Sequence, residues 1–162
     1  MPTTTYTPLA NVTLSSSTAT VTFSSIVQSF RDVIAVASVK GAEGKIRISV
    51  NSVGSYVYHG VLMEADGGTA ASNYGSDGYV LIGRNNSGIR NDVYTNIICN
   101  FNEYSVSGKH KPIIFRAGSN LSGVFAGNYR VATSSTISSI IFQLENGNFD
   151  AGSTFELFGV NA

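Results

Sequence analysis

Charge of either sign is scarce in this chain: ten Lys and Arg against ten Asp and Glu, together 12% of 162 residues, cancel to a formal net charge of zero. A nucleic-acid-binding surface needs a clustered excess of Lys or Arg, and no such run exists, so nucleic acid is not an expected partner. Cysteine is nearly absent. Cys99 alone can close no internal disulfide and supply no Cys-based zinc site. Flanked by strand formers in Thr95-Asn96-Ile97-Ile98-Cys99-Asn100-Phe101, it reads as a small buried apolar residue, in keeping with folding in a reducing cytoplasm. Long hydrophobic runs are missing: no window approaches the ~20 apolar residues of a membrane span. Met1-Pro2-Thr3-Thr4-Thr5-Tyr6 has neither the basic start nor the apolar stretch of a secretory signal, so neither a membrane nor an exported state is expected. The three prolines are scattered, and no Pro-rich or charged linker divides the chain, which reads as a single domain over 1–162.

Sustained helical periodicity is also lacking, and what stands in its place is alternation. Ala19-Thr20-Val21-Thr22-Phe23 and Lys45-Ile46-Arg47-Ile48-Ser49-Val50 place apolar side chains on one face and polar ones on the other, as a half-buried strand requires. Alternation and β-branched content predict strands near 4–8, 11–14, 18–26, 32–40, 45–51, 56–63, 78–84, 93–101, 111–117, 123–132, 137–144 and 154–160. Between them lie clusters that tolerate positive φ, and Asn146-Gly147 is the clearest hairpin signal. So many short strands in one domain predict an all-β fold, a two-sheet β-sandwich or a barrel. Val21, Phe23, Val33, Val36, Ile46, Ile48, Val80, Ile82, Ile97, Phe115, Ile140, Phe142, Phe155 and Leu157 are the predicted core. Val33 to Ala37 and Ile140 to Phe142 are continuously apolar, which predicts coverage on both faces and makes them leading interface candidates. Glu64 to Gly78 is polar and Gly-rich and predicts a long surface loop suited to binding. A neutral, charge-poor surface offers little repulsion between identical copies, so self-association is expected.

Catalytic chemistry is thin. His59 and His110 lack the neighbouring ligands of a metal site, and no nucleophile elbow, zinc-protease motif or phosphate loop occurs. Glu64 and Asp66 are spaced to share a strand face, the minimum for paired carboxylates, but Asp66-Gly67-Gly68 reads more simply as a turn. The chain is therefore expected to be no enzyme, with no catalytic, cofactor or metal site. Tyr56, Tyr58, Tyr74 and Tyr79 surround the expected loop and are candidate partner-binding residues, able to stack on a sugar ring or on a neighbouring subunit. Thr3, Thr4, Thr5 and Tyr6, within an N-terminal arm over residues 1–8, are the other candidates for contact with a neighbour.

Two blocks carry a resemblance: Val21-Thr22-Phe23-Ser24-Ser25-Ile26 with the following Asp32-Val33-Ile34-Ala35-Val36, and the closing stretch Gly147 to Val160 with its Gly152-Ser153-Thr154-Phe155-Glu156-Leu157-Phe158-Gly159. Both resemble small tailed-phage virion proteins, in which a Thr-rich start leads into a V-T-F-S-S-I strand and the chain closes on G-S-T-F-x-L-[YF]-G. Val27 stands where that family usually has a proline. The resemblance implies a jelly-roll sandwich, commonly a homotrimer, that coats or projects from the virion. Its first implied role is a capsid decoration or cement protein gripping the major capsid protein lattice and stabilising the head. The alternative is the receptor-binding head of a tail fibre or spike that recognises a bacterial glycan.

Overall fold

A computed structural model describes residues 4–52, 54, 57–65, 70–83, 89–119 and 123–161, and every regular element among them is a strand. In chain order these are β1 (Tyr6–Thr13), β2 (Thr20–Phe23), β3 (Asp32–Val39), β4 (Ile46–Val50), β5 (Tyr58–Ala65), β6 (Ala70–Asp77), β7 (Val80–Ile82), β8 (Thr95–Phe101), β9 (Lys111–Ser119), β10 (Gly123–Val131), β11 (Ile140–Leu144) and β12 (Thr154–Val160). They form an eight-stranded sheet, β1-β12-β3-β8-β9-β10-β5-β6, and a four-stranded sheet, β2-β11-β4-β7. All pairings are antiparallel, and the all-β sandwich expected from alternation is what the chain adopts.

The order has a simple generator. Strands β1 to β4 pair with β12, β11, β8 and β7 respectively, as the two arms of one long hairpin would. Rolling that hairpin brings β12 against β3 and β11 against β4, and two sheets result. This is the jelly roll, a closure that leaves few exposed edges. The remaining strands form two insertions, the β5–β6 hairpin and the β9–β10 hairpin, joined through β5 and β10. They continue the larger sheet beyond β8, so it is twice as wide as the sheet that covers it.

Inward side chains fill the space between the layers. Phe142 stands between Phe23 and Phe155, with ring centroids 6.4 and 5.4 Å away, and Phe149 lies 5.2 Å beyond Phe155. Every predicted core residue is buried except Val36, which alternation turns to the opposite face of β3. Ile140, Ile141 and Phe142 are all buried, whereas Val33 to Ala37 alternate between buried and half-buried.

Four local expectations are corrected. The segments 4–8 and 11–14 are one edge strand, β1, because a bulge at Leu9 shifts the register between Pro8 and Ala10 and returns the later residues to the ladder. Tyr6 to Pro8 therefore pair with Val160 to Phe158 of the same chain and are no free arm. The expected loop over 64–78 is largely strand: β5 runs to Ala65 and β6 pairs along its full length with β5. Residues 66–69, including Asp66, lie outside the described residues. Asn146-Gly147 is a turn, with Gly147 at φ +81°, but it joins strands of different sheets and closes no hairpin.

Candidate interaction surface

The larger sheet buries one face against the smaller sheet and turns the other outward. Cross-strand register defines that outer face. One row runs from Phe158 on β12 through Ile34, Asn100, Ile114 and Asn128 to Val61 on β5. The next row runs from Glu156 through Val36, Ile98, Arg116 and Ala126 to Met63. A one-sided sheet ordinarily places polar residues at such positions. Here Ile98, Ile114, Val61, Met63 and Val124 are between 41% and 59% exposed, and all stand on this face. Scattered surface apolar residues need no explanation, whereas five on one face, interspersed with Asn100, Arg116 and Asn128, make it the candidate interaction surface.

Two shallow depressions indent the face on either side of Arg116. One, of about 690 Å³, lies over β5, β6, β9 and β10 and includes Met63, Ser72, Val124 and the small Ala126. The other, of about 430 Å³, is lined by Tyr6, Ile34, Val36, Ile98, Asn100 and Phe158. Arg116 lines both, and it makes no ion pair with any described residue. Glu156, three strands away on the same row, accepts a 3.2 Å hydrogen bond from Asn11 Nδ2. The face thus carries one cation and one anion in the same row, with Val36 and Ile98 between them.

The predicted contact residues separate in space. Tyr58 is fully buried and is a core residue, not a surface one: its strand period turns it inward, and its hydroxyl accepts the Val50 N–H at 2.8 Å. Tyr79 is half-buried beneath the Arg47 guanidinium, 4.4 Å from the ring centroid, and Arg47 in turn pairs with Glu145 at 2.6 Å. The carbonyls of Thr4 and Thr5 accept hydrogen bonds from Asn161, which ties the start of the chain to its end. Tyr6 is exposed and lines the second depression. Tyr74 is opposite Val61 in register, with its side chain outside the described residues, as are Thr3 and Tyr56 entirely. Sequence reasoning found part of the face through the apolar run Val33 to Ala37, which supplies Ile34 and Val36. It missed Ile98, Ile114 and Met63, although Ile97-Ile98, Ile113-Ile114 and Val61-Leu62-Met63 carry the same signal of apolar residues at both strand parities.

Elsewhere, ionisable groups serve the fold. Lys111 turns its ammonium back into the loop before β9, donating to the carbonyls of Val106 and Lys109. Burial lowers its pKa, the Glu103 carboxylate opposes that, and Lys109 adds to it. His110 Nδ1 lies 3.0 Å from Arg130 Nη1 and, with His59, stands on the exposed surface. No group of three His, Cys, Asp or Glu among the described residues is arranged to hold a metal. No protein-family model, curated protein or solved structure matches the chain.

Proposed function

We propose that this chain is a structural protein of a tailed-phage virion, a capsid decoration or cement protein that grips the major capsid protein lattice as an oligomer and stabilises the head. The observation that carries the reading is the broad outer face of the eight-stranded sheet, on which Val61, Met63, Ile98, Ile114 and Val124 are exposed, a surface suited to macromolecular contact. The resembling end blocks support it. Val21 to Phe23 fall on β2 and Thr154 to Val160 on β12, both within the rolled hairpin that defines the jelly roll. A net charge of zero removes long-range repulsion between copies crowded on a shell. Repeated copies then convert modest single contacts into firm attachment.

The glycan-binding head remains the competing role, and it has lost two of its aromatic residues: Tyr58 is spent in the core and Tyr79 beneath Arg47. Counting copies by quantitative mass spectrometry on emptied heads and on separated tails decides between them. Decoration predicts copies stoichiometric with the major capsid protein on emptied heads. Recovery on tails alone overturns it.

A further inference from the structure

The geometry points to a second copy of this chain as the occupant of the outer face, seated across a two-fold axis that runs along the strands between β3 and β8. This deepens the proposed function by making the two-fold dimer the oligomer that attaches, with the β5–β6 end of the face, outside the pairing, left for the shell, and it rests on reading the face as adhesive.

Three observations carry it. The first is charge. Two sheets stacked face to face about an axis in their common plane exchange strand positions, so that β9 of one copy lies over β12 of the other and β8 over β3. Because Glu156, Val36, Ile98 and Arg116 share one row, this operation sets Arg116 over Glu156 of the second copy, twice per pair. It also sets Ile98 over Val36, apolar on apolar. The second is the neighbouring row, where Ile114 comes over Phe158, with Asn100 over Ile34, by the same exchange. Such self-complementarity is what an isologous contact requires. The third is size. Six strands spaced about 4.8 Å apart and about seven residues long at about 3.4 Å each present about 700 Å² per copy, or about 1,400 Å² for the pair. That lies within the range of about 1,200–2,000 Å² expected of a stable protein interface.

Layer-on-layer contact separates this pairing from the trimer implied by the resemblance. The two-fold pairing covers the six strands from β1 to β10 in sheet order with a second layer about 10 Å away, while β5 and β6, with Val61 and Met63, extend beyond it. Around a three-fold axis, three such faces meet at an angle and leave their centres uncovered.

Sedimentation equilibrium of the purified chain tests the inference, with Arg116→Glu, Glu156→Arg and the double exchange as variants. Both side chains lie on the outer face rather than in the core, and circular dichroism melts check that each variant folds. The wild type should be a dimer, each single reversal should raise the dissociation constant about tenfold or more, and the double exchange should restore it. A wild type that stays monomeric, a three-chain mass, or a dimer indifferent to both single reversals would each overturn the inference. The two proposals fail separately: a monomer found stoichiometrically on heads ends the pairing and leaves decoration standing, while a charge-dependent dimer found only on tails does the reverse.

Discussion

Cys99 lies on β8 between Ala35 of β3 and Phe115 of β9, with no solvent contact. Burial pushes its thiol well above the ordinary cysteine range. The native chain therefore keeps a proton that the unfolded chain gives up above about pH 8.5, and stability is lost as pH rises through that value. Lys111 works the other way: its lowered pKa means the unfolded chain binds more protons just below the ordinary lysine value, so its contribution rises with pH. Comparing thermal melts of the wild type and Cys99→Ala between pH 7 and 10 isolates the thiol, and the alanine variant should show the shallower alkaline decline. The native thiol should also resist a disulfide reagent until the chain unfolds. Cys99 was legible because strand formers surround it. Tyr58 was not, because only the fold brings the Val50 N–H to its hydroxyl.

Strand β10 shows how an element depends on its neighbours. Gly127 stands opposite Phe115 on one side and Leu62 on the other, and a Cβ there would meet the Phe115 ring at 2.3 Å and the Val61 carbonyl at 2.8 Å. Gly60, paired with Tyr129, is covered by that ring in the same way. These glycines make room for aromatic rings lying across the sheet, so the inserted hairpins are locked ring over glycine. Gly127→Ala should destabilise the chain by about 1–3 kcal/mol, read as a lower urea midpoint, since the ring is pinned and cannot move aside. A midpoint equal to wild type would show that the ring yields freely. The same dependence explains why β6 escaped detection. Ala70-Ala71-Ser72-Asn73-Tyr74-Gly75-Ser76-Asp77 has little apolar alternation, and its strand state comes from backbone pairing with β5. Likewise β1 read as two strands because the bulge at Leu9 breaks its period.

In the molecule as a unit, stability is concentrated between the two sheets. Phe155 is fully buried and touches both Phe142 of the small sheet and Phe149 of the connection before β12. Phe155→Ala should cost about 3–5 kcal/mol, seen as a large fall in melting temperature, because the cavity opens where rigid layers cannot close. A variant that melts near the wild type would place the main cohesion elsewhere. The outer face has the opposite standing: no described residue covers Ile98, Ile114 or Met63, which are 41%, 44% and 54% exposed.

Alternation was enough to specify an all-β chain, most strand positions and, Val36 apart, the inward orientation of the side chains it singled out for the core, because a two-residue period is a local property written in consecutive residues. The rolled order, the two hairpins that widen one sheet, and the row joining Glu156 to Arg116 arise only on folding. They depend on pairings such as Tyr6 with Val160, between residues from opposite ends of the chain. No local period encodes such a pairing; packing and ladder closure across the whole sandwich select it.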